Sequence, residues 1–179
     1  MNPEVFVWTG KIRRHLAWVL AHELDLSDAS GEETARVVEE YAEIERLAAV
    51  AKMRGARRVA ETETYKRSGD KDAAGWFART TGSTKRDAER SLAAANALDD
   101  LDATRAAAER GELSEQQLRE ITDAASANPA AEQDLLDAAK TDTFAGLKDR
   151  ALKAKASAGD RRTRHERIRL SRYLRHGVD

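Results

Sequence analysis

The chain contains no cysteine. That excludes a disulfide framework, a thiolate nucleophile and any sulfur-based metal set. Prolines number two, and Phe, Tyr and Trp occur three times each. With so few aromatics, a core has to be built largely from alanine and scattered aliphatic side chains. No run approaches the ~20 apolar residues that span a bilayer. The opening MNPEVFVWTGKIRRHLAWVLAHEL is apolar in part, but Arg13, Arg14, His15, His22 and Glu23 interrupt it. It lacks the order of a secretory signal peptide, so a cytoplasmic location is expected. There is no phosphate-cradling glycine loop and no serine nucleophile motif. Glu39, Glu40, Glu43 and Glu45 crowd one stretch without histidine partners, which suits a solvated helix face better than acid–base chemistry.

What the chain does have is an uneven charge distribution. The formal net charge is −1, with 31 Lys+Arg against 32 Asp+Glu. Residues 148–176 hold 11 of those cations and only three acids, Asp149, Asp160 and Glu166, for a net +8. Residues 1–147 carry 20 basic and 28 acidic side chains, a net −8. Seven arginines (Arg161, Arg162, Arg164, Arg167, Arg169, Arg172 and Arg175) fall within fifteen residues. Such a run attracts a polyanion, nucleic acid foremost; a solvated helix or linker is the alternative.

Periodicity predicts an all-α fold: a multi-helix bundle with a long central helix, helical hairpins and a basic C-terminal arm. Residues 9–24 place Trp8, Ile12, Leu16, Val19 and Leu20 near one face. Ser30 with Glu33 predicts a capping box that opens a helix reaching about Thr64. Its expected stripe is Val37, Tyr41, Ile44 and Leu47, with Ala48, Ala51 and Val59. Gly55 in that helix suggests close packing or a kink. Asp70 is expected to cap a helix over 71–80, and Thr84 with Asp87 one over 85–98. A short helix near 101–110 ends at Gly111. Ser114 and Gln117 form a further capping box before 115–126. Asn128-Pro129 predicts a capped start for 129–140, and 143–157 completes the series. Residues 161–175 fit strand or helix. The expected division is 1–30 as an N-terminal helix and linker, 31–158 as a helical domain, and 159–179 as an arginine-rich arm.

The stretch DAAGWFARTTGSTKRDAERSLAAANALDDL, residues 72–101, followed by AAAERGELSEQQLREITDAA, residues 106–125, resembles the actinobacterial DUF222 domain, or 13E12 repeat family. The specific parts are the Trp76 helix, Gly82-Ser83-Thr84 before Ala88, and Gly111-Glu112-Leu113-Ser114. The resemblance covers roughly residues 35–175. In many mycobacterial and related proteins this domain precedes an HNH endonuclease domain, so the resemblance implies a nuclease context. The histidines here, His15, His22, His165 and His176, have no HNH arrangement. His15 and His22, seven apart, have the spacing of ordinary surface histidines. The expectation is therefore a non-catalytic part of a longer protein, with no cofactor of its own. A divalent metal would belong to the missing HNH region, and the ending Gly177-Val178-Asp179 reads as cut.

Two surfaces are candidates for DNA. Residues 71–98 read as helix, glycine turn, helix, compatible with a helix-turn-helix. Thr84, Lys85, Arg86, Glu89 and Arg90 would then face DNA while Trp76, Phe77, Ala88 and Leu92 pack inside. An ordinary αα-hairpin gives the same pattern. The arginine run needs no groove geometry: it would neutralise phosphates with little sequence preference. Arg150, Lys153 and Lys155 extend its field backward, and Tyr173 is better suited to packing than to base stacking. The hairpin 101–126, bearing Glu112, Glu115, Glu120 and Asp123, would repel phosphate and reads as structural. The competing function is a helical protein-interaction or oligomerisation module, a homo-oligomer among its options, without nucleic-acid binding.

Overall fold

Short-range capping chemistry sets most of the helix starts. A computed structural model describes residues 4–159, and every regular element among them is helical. The α-helices are α1 (Glu4–His22), α2 (Gly31–Glu61), α3 (Ala73–Thr81), α4 (Lys85–Ala97), α5 (Asp102–Glu109), α6 (Glu115–Ala127), α7 (Glu132–Thr141) and α8 (144–159). Short 3-10 turns occur at Thr64–Ser68 and Pro129–Ala131. The chain forms two compact units that divide between Ala42 and Glu43, within α2. The arginine-rich arm, apart from Gly159, lies outside the described residues.

At the start of α2 the Ser30 backbone N–H donates to Glu33 at 2.9 Å, and the Glu33 N–H donates to the Ser30 hydroxyl at 3.2 Å. Ser114 and Gln117 make the same reciprocal pair before α6. Each satisfies helix-end donors that would otherwise face only water. Thr84 caps α4 by accepting from the Asp87 N–H at 3.1 Å, and its hydroxyl donates to the Asp87 carboxylate at 2.7 Å.

Asp70 does not cap α3. Asp72 does, accepting from the Gly75 N–H at 2.7 Å. Asp70, just before α3, instead holds Arg79 of that same helix at 2.6 Å. Asn128 likewise gives up its expected capping role: its amide donates to the Ala154 carbonyl and the Ser157 hydroxyl, joining the α6 end to α8. Pro129 opens only a 3-10 turn, and α7 begins at Glu132. At α3 a second aspartate two residues on takes over the cap, whereas at Asn128 partners 26 and 29 residues away replace it.

The second half of α2 also departs from the expected stripe. Ala49, Val50, Met53 and Ala56 are buried, whereas Ile44 and Leu47 are substantially exposed. In an alanine-rich helix more than one face is apolar, so periodicity alone does not choose between them. Polar anchors accompany the buried face: Arg46 donates through Nε to the Gly111 carbonyl, and Arg57 clasps Asp99 at 2.6 Å and 2.7 Å. Gly55 lies in uninterrupted helix with nothing within 4 Å of an added Cβ, so it does not mark close packing.

From Glu43 onward there are two apolar clusters. The larger draws Val50 and Met53 from α2, Leu98, Leu113, Leu118, Ile121 and Leu135 from the middle of the chain, and Leu147 and Ala151 from α8. Leu118, Ile121 and Leu147 are wholly buried, each stabilising the unit by about 1.5–3 kcal/mol. The smaller consists of Ala56, Ala74, Phe77, Ala78 and Ala88, flanked by Trp76 and Leu92. Gly111 has φ +72°, and a Cβ there would lie 3.1 Å from Leu47. Both the backbone conformation and the space call for glycine.

Candidate nucleic-acid interface

The turn between α3 and α4 follows directly from its residues. Gly82 takes the left-handed conformation that ends α3, and the Thr84 hydroxyl then starts α4. Phe77 and Ala88 are buried, with Trp76 and Leu92 half-buried beside them. The expected inside of this hairpin is therefore its inside.

The expected outside is exposed but largely neutralised. Lys85 Nζ lies 2.6 Å from Asp72 Oδ2. That hydrogen bond, followed by the Gly75 N–H, holds the Asp72 carboxyl below its ordinary range, and the same pair raises Lys85. Arg90 lies 2.7 Å from Glu120, whose side chain is only 12% exposed. Asp87, lowered chiefly by the Thr84 hydroxyl, also receives Arg119 at 3.2 Å. Arg86 is exposed and has no carboxylate partner among the described residues. Lys85 and Arg90 would thus have to exchange a carboxylate for a phosphate, while Arg86 would not.

Helix α6 supplies much of this neutralisation. Glu120 takes Arg90, and Glu115 accepts from Ser91 at 2.6 Å and pairs with Lys52 at 3.2 Å. Both acids point to structure, as the sequence suggests for the 101–126 hairpin. Sequence reading missed a related device: the Thr104 N–H and hydroxyl both donate to Glu132 at 2.8 Å. A carboxylate from α7 thereby serves the start of α5, whose flanking Leu101 has no capping side chain. The only signal in the sequence was the lack of a local cap before a helix.

Toward the C-terminal end the cations are less fully matched. In α8, Arg150 pairs with Asp142 and Lys155 with Asp123, each at 2.7 Å. Lys148 sits over the Phe144 ring at 5.9 Å. Lys153 is exposed without a carboxylate partner among the described residues. Arg161, Arg162, Arg164, Arg167, Arg169, Arg172 and Arg175, and with them Tyr173, lie outside the described residues.

His15 and His22 flank Trp18, with ring centroids at 6.3 Å and 5.9 Å. Among the described residues no three His, Asp or Glu side chains are grouped to hold a metal ion. Nor is any helix among them long and apolar enough to cross a membrane. In comparison with known proteins, no family model, no curated protein and no solved structure matches this chain.

Proposed function

We propose that this chain is a non-catalytic helical module that engages DNA through its phosphate backbone, related to the N-terminal part of HNH endonuclease-like mobile-element proteins. One observation carries the reading: a net +8 concentrated in residues 148–176 of a chain otherwise net acidic. Arg161, Arg164 and Arg167, with their four neighbouring arginines, are the principal phosphate ligands. Release of condensed counterions drives that binding. Lys153 extends the same field onto α8, and Arg86 is the α4 cation ready to join it. Lys85 and Arg90 contribute less, because each already has a carboxylate within 2.7 Å. The DUF222 relationship rests on the Trp76 helix, Gly82-Ser83-Thr84 and Gly111-Glu112-Leu113-Ser114, and it supplies the nuclease context.

Fluorescence anisotropy with a labelled DNA duplex tests this. Full-length protein should bind at low salt, and Arg161→Ala, Arg164→Ala and Arg167→Ala together should weaken binding at least tenfold. Affinity unchanged by the triple substitution would refute the arginine run as the binding element.

A further inference from the structure

Lys153 lines a cavity. Arg150, Lys153, Ala154 and Ser157 repeat at three- and four-residue spacing, so they share one face of α8. Asn128 and the start of α7, with Asp134 and Leu135, form the other wall, and the space enclosed is about 360 Å³. That lies within the roughly 300–1,000 Å³ of small-molecule sites and gives room for a single nucleotide.

Its polar groups are of two kinds. Lys153 has no hydrogen-bond or ion-pair partner among the described residues. Arg150 gives only its Nε to Asp142, at 2.7 Å, so the rest of its fork remains to donate. Against these donors stand two acceptors. Asp134 is exposed and unpaired among the described residues. Asn128 is only 7% exposed, and its Nδ2 donates to the Ala154 carbonyl at 3.3 Å and the Ser157 hydroxyl at 3.1 Å. A carbonyl can only accept, so that bond fixes which way the amide is turned. The Asn128 Oδ1 is left without a donor. It is not sealed in either, because Arg119 Nε is the one fully buried side-chain nitrogen or oxygen without a partner among the described residues. Buried amides normally fill their acceptor, so an open Oδ1 on a cavity wall calls for a ligand that donates.

Bare phosphate has nothing to give Asn128 Oδ1, and Asp134 would repel it. A nucleotide carries both parts: a phosphate for Lys153 and Arg150 and, on cytosine, adenine or guanine, an exocyclic amino group that donates. Leu135 and Ala154 supply apolar wall for the base ring. A free amino acid would match the same charges, yet α8 opens the net +8 segment, and Arg161 follows Ser157 by four residues. The polyanion drawn to that segment is the ligand at hand. We infer that this cavity takes one unstacked nucleotide of the bound DNA, its phosphate on Lys153 and Arg150 and the amino group of its base on Asn128 Oδ1 and Asp134. The inference rests on the DNA-engaging reading above. It assigns a single-stranded nucleotide, because a base inside a duplex would first have to leave its stack.

Fluorescence anisotropy of the full chain with labelled single strands of oligo(dC) and oligo(dU) tests it, at mildly alkaline pH where cytosine is unprotonated. The two bases differ chiefly in the amino group at C4. The wild type should bind oligo(dC) about fivefold more tightly or better. Asp134→Ala should abolish that preference by weakening oligo(dC), whereas removing an acid from a purely electrostatic surface would strengthen binding. Lys153→Ala should weaken both strands alike. Arg161→Ala, Arg164→Ala and Arg167→Ala together should weaken both and leave the preference intact. Affinity unchanged in that triple variant counts against the arginine run and not against the cavity. Equal binding of the two strands by the wild type would overturn the cavity assignment without recourse to any variant. So would an Asp134→Ala protein, folded by far-UV circular dichroism, that binds oligo(dC) as well as the wild type or better.

Discussion

The α3–α4 and α5–α6 hairpins are built from the same local signals and put to different use. Each has a glycine with positive φ at its turn, Gly82 or Gly111, and a hydroxyl cap on its second helix, Thr84 or Ser114. Beyond that they diverge. Helix α6 buries Leu118, Ile121, Ala124 and Ala125 in or beside the main cluster and directs Glu115 and Glu120 at neighbouring polar groups. The α3–α4 hairpin has a small cluster of its own, with Phe77 its one buried large side chain, lends the main cluster only Ala94 and Ala95 of α4, and has an outer face of cations. The contrast shows that a basic helix face is not in itself an anion site. Of the α4 cations, Lys85 is paired with Asp72 and Arg90 with Glu120 of α6, so the proposed phosphate binding is assigned chiefly to the C-terminal run.

The largest expected effect is on the small cluster. Phe77→Ala should cost about 3–5 kcal/mol, measured by urea unfolding. Hydrogen exchange should show the loss concentrated in α3 and α4, with α6 still protected. Uniform loss across both hairpins would mean that they share one core rather than two. Capping comes next: Ser114→Ala should cost about 1–2 kcal/mol and Thr84→Ala about 0.5–1 kcal/mol, because, of these two, Ser114 alone sits in a fully reciprocal box. Equal costs would erase that distinction. Gly55→Ala lies outside both hairpins and serves as a control. The added methyl meets nothing, so thermal melting should show a gain of about 0.5–1 kcal/mol.

The caps that were legible in the sequence are those whose partners lie three residues away: Ser30 with Glu33, Thr84 with Asp87, Ser114 with Gln117. Asp70 and Asn128 carry equally good local signals, yet Arg79, Ser157 and the Ala154 carbonyl compete for them, and only the folded chain reveals those competitors. The buried line of α2 was hidden for another reason. Ala48 and Ala51 look as apolar as Ala49 and Ala56, so the choice of face depends on packing across to Leu113 and Leu118. Of the candidate site, the inside of the α3–α4 hairpin was readable from its apolar spacing. The pairing of Lys85 and Arg90 was not, since Asp72 and Glu120 stand 13 and 30 residues away.

The smallest effect expected is on pH dependence. Asp72 and Asp87 have their carboxyls held below the ordinary value of about 4, by Lys85 and by the Thr84 hydroxyl respectively. Their contribution to stability is therefore complete above that value and is lost as the pH falls through the lowered folded values. Asp72→Asn should flatten the fall in melting temperature below about pH 4.

The central claim is that polyanion attraction belongs to residues 148–176 and not to α4. The most direct test is the slope of log binding constant against log salt for a DNA duplex, compared between two triple variants. The account predicts that Arg161→Ala, Arg164→Ala and Arg167→Ala together reduce the magnitude of the slope by roughly 2–3, whereas Lys85→Ala, Arg86→Ala and Arg90→Ala together reduce it by about 1 or less. A larger loss in the α4 variant, or no salt-dependent binding by the wild type, would contradict it.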